Sequence, residues 1–490
     1  MVVYINIESV YPPCPHYTDR KTKTLSVIVV GAGVAGLSAS CVLKSRGAKV
    51  VVLESRNRIG GRIHTEYVDD FPIDMGASWV HGASQKNPMA PVIAHSDLCL
   101  HQTSIDNSVL YEHDLRSYVL FDTDGNRIAR EMVVEVGKKF EVILQEAKKL
   151  RHVYKNDTSL FKAFSRVLEK REDLRLDGPA QQVLEWYICR MEGWFAADAS
   201  KISLLSYDQE ENVEGGHALV ANGYNRVIST LAQGVDVRLN HRAARVLHSS
   251  NSVKVVTEDG RSFTADAAVI TVPLGVLKAK LIKFEPNLPD WKEEAISGIG
   301  FGNENKIVLF YESMCWPDVD FLGIAAPTAY ECSYFLSLHK ATGHPVLVYM
   351  PAGSLADDIE RLSDDAAMEF ALTKLRIIVP HIGKPIRCMV SRWGSDPNSL
   401  GCYSYDGVGK SHALYMQMHM PVNNLFFAGE ATSIKFPGTV HGAFATGLMA
   451  AEECWRRFEA SHCDLEMFQP VMAEEPPNRQ KKDPFIMSKM

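Results

Sequence analysis

Residues 26–56 read SVIVVGAGVAGLSASCVLKSRGAKVVVLESR, and the fold follows from the order of their parts. An apolar run leads into a Gly-rich turn, then a stretch dense in small residues, then a second apolar run. This is the pattern of a buried strand, a helix and a second buried parallel strand. Gly31, Gly33 and Gly36 stand in the spacing GxGxxG directly after the first strand. In a βαβ unit the first glycine permits the tight turn, the second lets backbone approach a pyrophosphate and the third lets helix close on strand. The helix N-terminus then faces the phosphates. Glu54 ends the second strand, 18 residues beyond Gly36, where a carboxylate accepts from ribose hydroxyls and repels a 2′-phosphate. The expected fold class is α/β, with a Rossmann-like dinucleotide-binding domain.

Just past Glu54, Arg56, Arg58, Gly60, Gly61 and Arg62 form an RxRxGGR run. Arginines beside a Gly-Gly turn reach the phosphates that the helix end already favours, and this run selects FAD over NAD. Helical patterns cover about 131–153 and 180–191, and two or three short strands fall between Val246 and Val272 around Glu258, Asp259 and Gly260. LFFAGEATS (425–433) reads as another strand and turn. From His441 to Phe458 a helix follows whose Gly442, Ala443, Ala445, Gly447 and Ala450 offer little bulk, so the chain returns to the first domain at its end. No internal repeat is present, and disorder is expected for residues 1–24 and for the polar stretch Glu474–Asp483.

With 490 residues, 46% hydrophobic, the chain is long enough for two domains with substantial cores. A formal charge of -7 gives no footprint for nucleic acid and suits a cationic small molecule. The ten cysteines contain no CxxC pair and no metal-ligand spacing, so neither a disulfide framework nor a metal site is expected, and a reducing compartment fits. The apolar stretch Ser26–Leu43 is broken by Gly, Ala and Ser and ends in charge, so no membrane span is expected. The first 25 residues lack the apolar core of a secretory signal. Ser488, Lys489 and Met490 resemble the Ser-Lys-Leu peroxisomal address. The expectation is therefore a peroxisome, with an import receptor at the C-terminus, and the cytoplasm as the alternative.

Longer motifs in order carry a family resemblance: GAGVAG (31–36), IGGRIHT (59–65), MGASWVHG (75–82), MEGWFAAD (191–198), TVPLGVLK (271–278), NENKIVLF (303–310), SRWGSDPNSLG (391–401) and FFAGEATS (426–433). From about Ser26 to Met472 the chain resembles the flavin-containing amine oxidases, and within them the plant-type, peroxisomal, back-converting polyamine oxidases. The resemblance implies a discontinuous FAD domain of residues 26–110, 215–310 and 395–460. Residues 111–214 and 311–394 would form an inserted substrate-binding domain, flanked by a flexible extension (1–25) and a tail (461–490).

It also implies roles. Glu54 would bind the adenosine ribose and Arg62 the pyrophosphate. Gly76, Ala77, Ser78 and Trp79 would meet the flavin edge, and Glu430 the ribityl or phosphate region. Ala243 stands where the family usually places a Val touching adenine. Val440 and its helix would approach the flavin pyrimidine, where a helix N-terminus stabilises negative charge. Lys306 matches the lysine that holds a water near flavin N5, and His81 the position where back-converting enzymes carry His. Tyr403 would flank the flavin face opposite Thr439, in a one-sided cage. Apart from the resemblance, the carboxylate of Glu192 is a candidate to pair with distal ammonium groups of a long polycation; Asp208, Glu210 and Glu211 lie nearby but are not assigned that role. The implied reaction oxidises spermine- or thermospermine-type polyamines at a secondary amine with O2, giving a shorter polyamine, 3-aminopropanal and H2O2.

Cys402, in LGCYSY, departs from the polyamine branch. Monoamine oxidases carry a flavin-linked Cys at the matching place, so covalent attachment stands as a separate hypothesis. Monoamine-oxidase-like and histone-lysine-demethylase-like enzymes remain alternatives within the same chemistry, although nothing in the chain reads as a demethylase's long coiled-coil insertion. A flavin-binding protein without turnover and an NAD-linked dehydrogenase remain alternatives outside it.

Overall fold

In the computed structural model, which describes residues 24–104 and 117–462, the Gly-rich turn lies in a five-stranded parallel sheet. Its strands run in the order Leu425–Phe427, Ala267–Ile270, Ser26–Val30, Lys49–Leu53 and Val237–Arg238. Four distant stretches of chain thus build one sheet, whose strands are apolar because helices and a second sheet cover their faces. The helix Val34–Ser45 is buried along almost its whole length, which its Ala and Ser content permits. The last helix, Val440–His462, crosses it closely: a Cβ on Gly447 would strike Ser38 Oγ and the Ala35 carbonyl.

Between Ala243 and Ala265 three antiparallel strands (Ala243–His248, Val253–Thr257, Ser262–Ala265) join Lys283–Glu285 in a four-stranded sheet. With Ala267–Ile270 the region holds one strand more than its periodicity predicts. The turns at Ser249–Ser252 and Thr257–Arg261 are tight enough to split it.

The second body pairs a six-stranded sheet with the helices Arg130–Lys149, Leu160–Lys170 and Gly178–Phe195. The sheet order is Arg387–Val390, Ile307–Phe310, Val346–Tyr349, Ser333–Ser337, Phe321–Ile324 and Tyr118–Phe121. All its pairings are antiparallel except the last. The boundary expected at 310 therefore falls earlier, since Ile307–Phe310 pairs with strands of this sheet. One core cluster joins the helices to it through Phe140, Phe164, Tyr187, Val308 and Leu336.

A three-stranded sheet, Trp79–His81, His217–Val220 and Leu100–Ser104, bridges the two bodies. The stretches expected to be disordered, apart from Thr24, and the C-terminal tripeptide lie outside the described residues. The eight described cysteines are free. Among the described residues no cluster of His, Cys, Asp and Glu could hold a metal ion, and no helix is long and apolar enough to cross a membrane.

Candidate active site

One long cavity runs from the Gly-rich turn to the six-stranded sheet. At its first end Gly31 has φ +111°, and its amide donates to the Leu53 carbonyl at 2.8 Å, closing the turn on the second strand. A Cβ on Gly36 would land on the Gly31 carbonyl, so the third glycine is a packing requirement. Gly33 differs, because a Cβ there would meet nothing nearer than 4.0 Å and its φ of -79° suits any residue. The space beside it belongs to the cavity, and no side chain caps the helix that starts at Val34. Amides of a helix's first turn without intrahelical partners form a phosphate site. This end fits a dinucleotide on the protein's own geometry.

Glu54 is buried, with Oε2 accepting from the Ala32 amide at 2.8 Å and Oε1 from the Arg56 amide at 2.9 Å. Those bonds aim the carboxylate at the cavity, where it keeps lone pairs for ribose hydroxyls. Ala243 is buried at the start of its strand and lines the same end. Arg62 donates to Glu430 at 2.8 Å and to the Cys402 carbonyl at 2.6 Å. Glu430 also accepts from Ser404 Oγ at 2.6 Å and the Gly438 amide at 2.9 Å. Its oxygens are thus committed to protein donors, and it serves the cavity by fixing Arg62.

Further along, Gly76 passes so close to the Arg62 carbonyl that no side chain fits, and the Ala77 amide donates to that carbonyl at 3.1 Å. This loop carries Ser78 and Trp79 to Lys306, whose ammonium donates to the Asp74 carbonyl (2.7 Å), the Gly76 carbonyl (2.7 Å) and Ser78 Oγ (2.6 Å). Burial lowers its pKa to about 8 against the raising effect of Asp74 and Glu304. Tyr403 donates toward the Gly193 carbonyl at 2.8 Å and Glu304 Oε2 at 2.9 Å. Tyr334 donates to Glu304 Oε1 at 3.2 Å. Arg190 lies 4.2 Å above the Tyr334 ring.

His81 pairs across the bridging sheet with His217, Nδ1 to Nδ1 at 3.1 Å, and Trp194 stands edge-on at 5.1 Å. Burial first, then His217 and His441, holds the His81 pKa well below its ordinary value, so the ring is neutral at pH 7. Thr439 accepts from the Gly442 amide at 2.9 Å and so caps the last helix, whose first residues, Val440 and Ala443, line the cavity.

Residues 34–454 match the family model described as flavin containing amine oxidoreductase. The chain belongs to this family. As a flavin amine oxidoreductase it is an enzyme that uses FAD, and the cavity's nucleotide end fits that cofactor. It is 58% identical over 457 residues to polyamine oxidase 2 of Arabidopsis thaliana, covering 93% of both chains. With polyamine oxidase 3 of Oryza sativa subsp. japonica it shares 55% over 459 residues, covering 93% of this chain and 95% of that one. A lysine-specific histone demethylase 1 homolog of Arabidopsis thaliana is 34% identical over 92% of this chain, which matches only 61% of the demethylase. The fold superposes on a redesigned putrescine oxidase with TM-score 0.71 at 20% identity, covering 89% of this chain and 100% of that chain.

Within this flavin amine oxidoreductase the cavity collects Gly31, Gly33, Glu54, Arg62, Gly76, Ala77, Ser78, Trp79, His81, Ala243, Lys306, Tyr403, Glu430, Thr439 and Val440. Gly36 sits behind it as packing. Glu192 is not in the cavity lining; its carboxylate accepts from the Ala199 amide at 2.8 Å. Glu210, a neighbour in sequence, lines the cavity instead, with Trp194 Nε1 donating to it at 3.0 Å and burial raising its pKa to about 7. The Cys402 thiol donates to the Glu304 carbonyl at 2.8 Å, and burial pushes its pKa up. A committed, neutral thiol is a poor nucleophile, which argues against a thioether to the flavin. Sequence reading missed Glu304, Arg190, Trp194, His217 and Tyr334. Glu304 and Trp194 were inside quoted motifs, but Arg190, His217 and Tyr334 reach the site only through strand register and helix packing.

Proposed function

We propose that the enzyme oxidises polyamines of the spermine or thermospermine type at a secondary amine with O2, yielding a shorter polyamine, 3-aminopropanal and H2O2. The observation that carries this reading is the composition of the cavity's far arm. It sets carboxyls (Glu304, Glu210) among aromatic walls (Trp194, Phe321, Tyr334, Tyr403), a lining suited to a long, flexible chain of methylenes and amines. The names of the relatives, polyamine oxidases of 50–58% identity, support it.

Bound FAD supplies a two-electron acceptor that returns its electrons to O2. The protein's part is to place the amine. Tyr403 is locked by Gly193 and Glu304, so its ring forms a fixed wall. Thr439, spent on capping its helix, leaves the opposite wall open to a bulky chain. Neutral His81 offers a ring nitrogen to an amine N–H without repelling a polycation. Glu210 takes the distal-ammonium role first assigned to Glu192. Lys306, whose three N–H groups are held by Asp74, Gly76 and Ser78, sets a fixed positive charge beside the place where oxygen would react. We place the enzyme in the peroxisome on its Ser-Lys-Met terminus.

Anaerobic mixing with spermine, thermospermine, spermidine and their acetylated forms tests the reading by the flavin band. Bleaching that recovers in air, with 3-aminopropanal and peroxide as products, is the expected result. A band that none of these amines bleaches removes the polyamine assignment.

A further inference from the structure

The substrate's nitrogens are protonated in neutral solution, yet an amine must be neutral to lose hydride from its α-carbon. The proton is lost either to water before binding or to a group in the cavity, and only the second route serves the ammonium form that predominates at pH 7. Three of the cavity's groups are unsuited. The Lys306 ammonium has no lone pair, and its three N–H groups are spent on Asp74, Gly76 and Ser78. His81 shares a proton with His217, and a second proton there is repelled by His217 and His441. Glu210 accepts from Trp194 beside the loop Glu211–Val213, at the His81 end of the cavity, where its proposed partner is the distal ammonium and not the reacting nitrogen.

Glu304 stands two residues before Lys306, and its side chain opens onto the cavity. Its setting contains a proton count. Tyr403 has one hydroxyl proton but two acceptors in range, the Gly193 carbonyl at 2.8 Å and Glu304 Oε2 at 2.9 Å. When Glu304 is ionised, Tyr403 donates to it. When Glu304 is protonated, its O–H donates to the Tyr403 oxygen, and the Tyr403 proton turns to Gly193. Gaining a proton therefore breaks no hydrogen bond on this carboxyl. We propose that Glu304 is the group that takes the proton from the entering ammonium, so that the amine reaches the flavin neutral. The step balances: an N–H bond breaks with its electron pair left on nitrogen, and an O–H bond forms on Glu304.

The groups facing Glu304 are Lys306 from its own segment, Arg190 from the helix Gly178–Phe195, Tyr334 from the strand Ser333–Ser337, and Tyr403 with Cys402 from the turn before Ser404. Burial raises its pKa, and the Tyr403 hydrogen bond, Lys306, the Tyr334 hydrogen bond and Arg190 counter that rise without cancelling it. A raised carboxyl is what a proton acceptor near neutral pH requires.

This inference rests on the polyamine reading, and one set of pH profiles separates the two. E304Q keeps both tyrosine contacts, because an amide accepts and donates as the protonated acid does. Its kcat/KM for spermine is expected to fall about 100-fold at pH 7, with the loss shrinking as pH rises and more free amine arrives neutral. The deficit in maximal flavin bleaching should narrow steadily between pH 7 and about pH 10, and Glu304→Asp should restore the acid limb. A loss that is equal at every pH, or an unchanged profile, overturns the role of Glu304 while spermine oxidation by the wild type stands. A wild type that no polyamine bleaches removes both readings. Should E304Q fail to retain FAD, Tyr334→Phe decides. Removing a donor to Oε1 must move the acid limb to higher pH, and an unmoved limb overturns the proposal.

Discussion

Lys306 occupies a buried position that opposes its own charge. Its folded pKa of about 8 lies below the value of about 10.4 for a free lysine. Between those values the unfolded chain binds more protons than the folded one, so this residue's contribution to stability rises with pH across the window and is at its least favourable below it. Lys306→Met should therefore lose that part of the pH slope of thermal stability between pH 8 and about 10, whatever its offset at pH 7. The same variant should bind FAD but slow air reoxidation of reduced flavin about 100-fold, the usual cost of deleting a preorganised charge. Stopped-flow mixing of reduced enzyme with oxygenated buffer measures it, and a wild-type rate would remove Lys306 from the oxygen step. Of the single residues, those whose reason is local were legible: Gly31 needs positive φ, Gly36 close packing and Glu54 a strand end. Glu304 was overlooked because its meaning depends on Tyr334 and Tyr403, which strand register brings from residues 30 and 99 positions away.

The elements were legible where one segment determines itself. Small residues after the Gly-rich turn and in 441–458 announced two helices with little bulk, and the structure adds that they cross, with Gly447 where their backbones nearly touch. Gly447→Ala should cost about 1–3 kcal/mol through overpacking and weaken FAD binding, since both helices begin at the cavity. Melting and FAD titration measure the two effects, and a neutral alanine would show that the crossing has slack. Lys292 was not legible, because a charged residue in a surface-type helix pattern normally faces water. It is fully buried and donates to the carbonyls of Gln417, Met418 and Met420 at 2.5–2.7 Å, closing the end of the helix Leu414–His419. Burial lowers its pKa to about 7. Lys292→Met preserves the stem but orphans those carbonyls, at about 1–3 kcal/mol for each one that stays dry. A melting temperature unchanged from wild type would mean that water replaces the ammonium.

At the level of the fold, the cavity is where the separate stretches meet. Its lining comes from the turn at 31–35, the arginine run, the loop at 75–79, the strand start at 243, Lys306 beside the six-stranded sheet, and the beginning of the last helix. Sequence reading recognised these stretches one at a time, but not that Trp79–His81 pairs with His217–Val220 to tie the two bodies together. A ligand bound across all of them favours only the state in which all are assembled. FAD at 100 times its Kd then adds about 2.7 kcal/mol to folding, and at 1,000 times about 4.1 kcal/mol. With an unfolding entropy of about 2.1 cal/mol/K per residue, such gains move the midpoint of a chain this long by only about 3–4 °C. Because Phe321 and Tyr334 of the six-stranded sheet line the same cavity as Gly31 and Glu54, the shift should appear in one shared transition. Calorimetry of FAD-depleted protein titrated with FAD tests this. If only part of the heat absorption moves, the inserted body unfolds on its own and the cavity's far arm is not coupled to the nucleotide end.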